Sequence, residues 1–153
     1  MSAVMMPGQP VADAVFADLV PRIDALRAAG HPPGLATVLI GDDEPSARYV
    51  AMKMQKAEEL GCSSPHVHLP ADATTAEAID AVQRLNADDA VDAMLVQHPA
   101  PPQVDFDAVL MAVDPDKDVD GMHPTNVGRL ALGILGPVSC TPAAATSTSA
   151  RRV

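Results

Sequence analysis

GLATVLIG, residues 34–41, is a continuous apolar run bounded by Pro33 and Gly41, the pattern of a strand buried on both faces. DDEPSARYVAMKMQKAEELG, residues 42–61, follows at once. It opens with acidic residues suited to an N-cap and a proline suited to a first helical turn, and it closes at Gly61. A buried strand feeding a capped helix is the opening of a βαβ unit, and the sequence on either side repeats the theme. Downstream, HVHLP (66–70) reads as a strand, and Thr74 with Glu77 forms a capping-box signature for the helix AEAIDAVQRLN. DAMLVQ (92–97) is a second buried strand, followed by the proline-rich loop HPAPPQ. Residues 105–113 have helical character, and NVGRLALG (126–133) reads as a short helix. Alternation at this spacing implies an α/β fold of three layers, a mostly parallel sheet with helices on both faces.

Upstream, residues 10–29 place Val11, Val15, Leu19, Ile23 and Leu26 at helical spacing up to Gly30. Pro21 lies inside that pattern and predicts a kink or a break. After Cys140-Thr141-Pro142 the periodicity ends, and AAATSTSARRV reads as a flexible tail. The expected organisation is therefore one domain over 1–142 and a low-complexity tail over 143–153, with no internal repeat.

The chain of 153 residues is 48% hydrophobic but only 2% aromatic, so its core must come from Ala, Val, Leu, Ile and Met. A formal charge of −10 argues against nucleic acid or an anionic membrane surface as partner. Cys62 and Cys140 stand far apart, without the spacing of a zinc site or a disulfide scaffold. No basic leader and no run of membrane-spanning length is visible, which leads us to expect a cytoplasmic protein.

DPDKDVDGMHP, residues 114–124, matches the first half of a calcium loop through Asp116, Asp118, Asp120 and Gly121. The second half fails. Counting Asp116 as position 1, position 12 is Val127 where a bidentate glutamate is required, and position 9 is Pro124. A calcium-binding domain through residues 116–127 stays only as a remote alternative, and no metal site is expected. His66 and His68 alternate on a short strand without a third ligand, so they read as surface residues. His98 and His123, in proline-flanked loops, are weaker candidates.

Ser46, Tyr49 and Lys53 share one helix face at i, i+3 and i+7. On spacing alone they read as a solvated polar face. The Tyr-x3-Lys pair also occurs in short-chain dehydrogenases, but no glycine-rich dinucleotide loop is present in this chain. Gln97 ends the strand DAMLVQ at the sheet's carboxyl edge, where open α/β sheets bind ligands. It is either a loop-capping amide or a ligand contact.

PGLATVLIGDDEPSARYVAMKMQKAEELG, LNADDAVDAMLVQHP, DPDKDVDGMHPTNVGRLALG and CTP occur in this order and spacing. Together they closely resemble the amino-terminal, folate-binding domain of the bifunctional methylenetetrahydrofolate dehydrogenase/methenyltetrahydrofolate cyclohydrolase family, over about residues 6–142. The resemblance implies two α/β domains with the folate site in the cleft between them, the second being a Rossmann domain that binds NADP. It implies oxidation of 5,10-methylenetetrahydrofolate with NADP, then hydrolysis of the methenyl product to 10-formyltetrahydrofolate. By position, Lys53 matches the catalytic lysine and Tyr49 the tyrosine that stacks on the folate's aminobenzoyl ring. Gln97 matches the glutamine that interacts with that lysine, and Asp120 the aspartate that hydrogen-bonds the pterin. Asp118 and Gly121 shape that turn, while Ser46 and Cys140-Thr141-Pro142 match positions lining the cleft.

These roles are chemically coherent. A lysine acting near neutrality needs its charged form disfavoured, for which burial beside a neutral amide would serve. A carboxylate accepts from pterin N–H groups and fixes the ring. HPAPP departs from the family's usual LPLP at His98 and Ala100, and Gln9 stands where a lysine is usual. The ending departs further. Where the family continues into its NADP domain, this chain reads AAATSTSARRV. The expectation is a folate substrate, no cofactor-binding residue in this chain, and a dehydrogenase step missing from the chain alone. The alternative is a catalytically weak folate-binding module. Family members are homodimers that rely largely on the second domain, so the dimer is not carried over.

Overall fold

The structure is a computed structural model and describes residues 7–139. Helix α1 spans Gln9–Ala28, strand β1 Leu35–Ile40, α2 Glu44–Glu59, β2 His66–Leu69, α3 Thr75–Asn86, β3 Ala93–Val96, α4 Phe106–Met111 and α5 Pro124–Ala131. The three strands form one parallel sheet in the order β2-β1-β3. Thr37 pairs with His66 and Ile40 with Leu69 on one side of β1; Leu35 pairs with Ala93 and Val38 with Val96 on the other.

That order places helices on both faces. The path from β1 to β2 runs one way and the path from β2 to β3 returns across β1. Crossovers of the usual right hand must therefore carry α2 and α3 on opposite faces. Burial along β1 agrees. Ala36, Val38 and Ile40 join Ala78 and Val82 of α3 and Met94 and Val96 of β3 in the main core. Leu39, equally buried, lies outside that cluster and so points to the other face, where α2 packs against β1 through Val50 and Ala57. Valine and alanine dominate, as the scarcity of aromatics requires. The α/β, three-layer reading is thus observed.

The local signals act as read. Thr74 caps α3 with both arms of the capping box formed: its side chain accepts from Glu77 N, and its own backbone N–H donates to the Glu77 carboxylate. Asp43 and Asp105 cap α2 and α4 with one arm each, accepting from Ser46 N and Ala108 N. Of the kink or break expected at Pro21, the break does not occur: α1 is one helix through Pro21. Proline removes the hydrogen bond to the carbonyl of Ala17, but both residues are exposed, so water is at hand for that carbonyl. Most of the apolar stripe of α1 stays open: only Ile23 is buried, while Val15 and Leu26 are about half exposed. The proposed tail, residues 143–153, lies outside the described residues. No described helix is long and apolar enough to cross a membrane.

Candidate functional site

Capping fixes α2 against the end of β1. Asp43 accepts from Ser46 N at 2.9 Å, and the carboxyl of Asp43 is held below its usual value by the Ser46 side chain and backbone. Ser46 is buried at this first turn; Tyr49 and Lys53 follow on successive turns and are exposed. Gln97 continues the β3 ladder by one residue, its N–H donating to Val38 O at 2.8 Å. Its side chain reaches across to α2. Lys53 Nζ donates to Gln97 Oε1 at 3.1 Å, and Gln97 Nε2 donates to His98 O at 2.7 Å. An ammonium can only donate and a carbonyl can only accept, so these two partners define which way the amide points.

The aspartate stretch docks on the free edge of β3. Met94 N donates to Lys117 O, Val119 N donates to Met94 O, and Met94 and Asp118 form a parallel bridge. Asp120 follows two residues beyond that bridge, towards the carboxyl edge, and its carboxyl lies within reach of the Lys53 charge. Gly121 has φ +61°, and a Cβ there would lie 2.6 Å from Pro137 O, so the turn has no room for a side chain. Ser139 Oγ donates to Asp120 O at 2.9 Å from the same overlying segment. Burial pushes the Asp120 carboxyl above its usual value; the Lys53 ammonium opposes this and the Asp118 charge adds to it.

Several residues that hold this loop carry no sequence signal of their own. Lys117 Nζ donates to the carbonyls of Leu85, Asn86 and Asp88, at the C-terminal end of α3. Asn86 donates to Ala112 O and accepts from Asp114 N. Asp118 is buried and accepts from His123 N and Asn126 Nδ2. These pairings are long-range or depend on burial, and only the α5 partners lie near enough in sequence to suggest contact.

The same contacts explain the aspartate spacing. Asp118 is turned onto protein donors, Asp116 is paired with Arg129 at 3.1 Å, and Asp114 accepts from Asp116 N. These carboxylates build a turn rather than converge on an ion. Among the described residues no three of His, Cys, Asp or Glu gather into a metal-binding group.

Of the residues expected from the sequence, the structure brings Lys53 and Gln97 into contact and sets Asp120 within reach of the Lys53 charge, with Tyr49 one turn from Lys53. Lys53 has the neutral amide partner but not the burial expected for it, because α2 leaves that face open. Tyr49 is 59% exposed, and with Lys53 it also lines an apolar groove of about 680 Å³ between α1 and α2. Asp118 and Gly121 sit in the turn. Cys140, Thr141 and Pro142 lie outside the described residues. His66 and His68 are exposed on β2, and His98 stacks edge-on against Phe106. Gln9 bonds Asp13 in the first turn of α1.

A dinucleotide does not fit these residues. Its pyrophosphate needs an open helix N-terminus after a strand. Among the described residues, the three helices that follow strands all begin with carboxylates: Asp43 on α2, Glu77 in the box on α3, Asp105 on α4. Glycine-rich phosphate loops are absent from the sequence as well.

Fold and site thus define an α/β domain with polar groups at the carboxyl edge of a parallel sheet, the edge at which open α/β sheets bind ligands. Residues 6–120 match the profile of the tetrahydrofolate dehydrogenase/cyclohydrolase catalytic domain. The chain belongs to that family. It is 54% identical over 138 residues to the bifunctional protein FolD 1 of Salinispora tropica, covering 90% of this chain and 45% of that protein. The fold matches the crystal structure of the FolD methylenetetrahydrofolate dehydrogenase/cyclohydrolase of Campylobacter jejuni. There the TM-score is 0.91 at 34% identity, over 96% of this chain and 52% of that one. It also matches the Trypanosoma brucei enzyme, complexed with NADP cofactor and inhibitor, with a TM-score of 0.89 at 35% identity over 96% and 51%. The chain spans about half the length of the curated relatives it matches.

Proposed function

We propose that Lys53, Gln97, Tyr49 and Asp120 form the folate site of a one-carbon enzyme, and that these 153 residues catalyse at most the hydrolytic step. One observation carries the reading: Lys53 Nζ donates to the neutral Gln97 amide at 3.1 Å, at the edge where Asp120 is also held. In the proposed reaction water adds to the bridging carbon of 5,10-methenyltetrahydrofolate. The bond from that carbon to N5 breaks with its electron pair going to N5, N5 takes up one of the two protons of the water, and the other is released with 10-formyltetrahydrofolate. Lys53 is the proton-transfer group, Gln97 aims it, and the exposed ring of Tyr49 stacks on the aminobenzoyl group. Asp120 accepts from the pterin. Asp118 and Gly121 shape its turn, and Ser46, Cys140, Thr141 and Pro142 line the cleft.

Oxidation of the methylene substrate moves a hydride to a nicotinamide held against the folate. Among the described residues none suits that nucleotide, so we assign the NADP-dependent step to none of them. A second reading, a folate-binding module with little catalysis, is favoured by one observation, the exposure of Lys53 and Tyr49. Titration with a tetrahydrofolate analogue, followed by an assay of methenyl hydrolysis and of NADP reduction, tests both. Binding with slow hydrolysis fits the first reading, and binding alone fits the second. Failure to bind any folate, or robust NADP reduction by this chain, contradicts both.

A further inference from the structure

We infer that Asn126 is a positioning residue for Asp120, acting through Asp118 and anchored by Arg129. The observations form a continuous chain. Asn126 is 1% exposed, and both polar ends of its side chain are used. Its Nδ2 donates to Pro115 O at 2.7 Å and to Asp118 Oδ2 at 2.9 Å, and its Oδ1 accepts from Arg129 Nη1 at 3.0 Å. The same guanidinium pairs with Asp116.

Asp118 is 3% exposed, and among the described residues no cation touches it. A buried carboxylate without a counter-ion depends on its hydrogen bonds, and losing one is costly. Its donors are His123 N and Asn126 Nδ2, both contributed by the start of α5. Asn126 thus relays the positive charge of Arg129 towards a buried anion and, through Pro115 O, pins the other end of the same loop. Asp120 lies two residues beyond Asp118, after the single bridge that holds this stretch to β3. With Asn126 removed, Asp118 is free to turn to water and the register carrying Asp120 to the carboxyl edge is loosened.

The inference rests on the folate reading only for what Asp120 binds. The test therefore reads Asp120 without ligand first. Two charges reach its carboxyl, Lys53 from α2 and Asp118 from its own turn; burial outweighs the lowering by Lys53, and Asp118 adds to the rise. Carboxyl 13C NMR of the whole 153-residue protein should give an Asp120 midpoint above the usual aspartate range. Asn126→Ala should move that midpoint down towards the usual range as water enters the turn. Affinity for a tetrahydrofolate analogue should fall about tenfold or more, the size of a lost charge-assisted hydrogen bond. A folded Asn126→Ala whose stability drops while the Asp120 midpoint stays put has lost only a structural residue, and the inference is overturned. If Asn126→Ala does not fold, Arg129→Met, which alters a partly exposed side chain, takes its place. A smaller downward movement upholds the inference, and no movement overturns it. If the parent protein binds no folate, the proposed function fails, while the titration still decides the role of Asn126.

Discussion

Lys53 and Gln97 tie the middle of α2 to the end of β3 through one hydrogen bond of 3.1 Å, although 44 residues separate them in sequence. Helix and strand are both rigid, so the bond sets the direction of the amine without burying it. Its neutral partner is the part open to direct testing. Gln97→Glu would set an anion beside the ammonium and hold the proton on Lys53. Methenyl hydrolysis should slow by about 10²-fold, at the low end of what general acid–base groups contribute, while folate affinity changes little. Steady-state kinetics with a separate binding titration would check this, and an unchanged kcat would refute it.

Asp120 gives the account a pH dependence with a defined sign. Its carboxyl titrates above the usual value in the free protein, mainly because it is half buried. Pterin N–H donors would hold the anion, so the bound carboxyl should titrate lower than the free one. Affinity should be full above the free value and decline as pH falls towards the bound value. The decline should therefore begin at a higher pH than for an ordinary aspartate. Asp120→Asn should weaken binding at neutral pH and flatten the profile. For stability the sign is opposite. A raised folded value means that the contribution is fully present below the unfolded value and is lost as pH rises through the folded one.

Gly121 permits the approach of the overlying segment. Gly121→Ala places a side chain at φ +61° and 2.6 Å from Pro137 O. The left-handed backbone alone costs about 1–2 kcal/mol, and the clash adds to it. Chemical denaturation should show at least that loss, together with weakened folate binding.

Met94 joins the core to the site. It is 1% exposed in the main cluster, and its backbone pairs with Lys117 and Val119. Met94→Ala should cost about 2–5 kcal/mol. Leu135→Ala, at a residue 98% exposed, should cost almost nothing. Urea unfolding of the two variants provides the comparison.

Periodicity, punctuation and caps carried most of the fold. The apolar run at 34–41, the Thr74–Glu77 box and the glycines at helix ends each act through neighbours a few residues away, and such signals can be read along a chain. Pro21 does not break α1 because its ring and the carbonyl it leaves unpaired both lie on the exposed side. The scaffold under Asp120 was not legible for a different reason. Lys117 acts on carbonyls about 30 residues upstream, and Asn126 matters because it is buried, which composition does not reveal. The resemblance pointed to Lys53, Gln97 and Asp120, but the open face of α2 became visible only with the helices in place.

The most direct test of the central claim is single-turnover hydrolysis of 5,10-methenyltetrahydrofolate by the 153-residue protein and its Lys53→Met variant, with folate binding measured on both. Both proteins should bind, and only the parent should accelerate hydrolysis above the rate in buffer. Equal acceleration by the two proteins would contradict that claim.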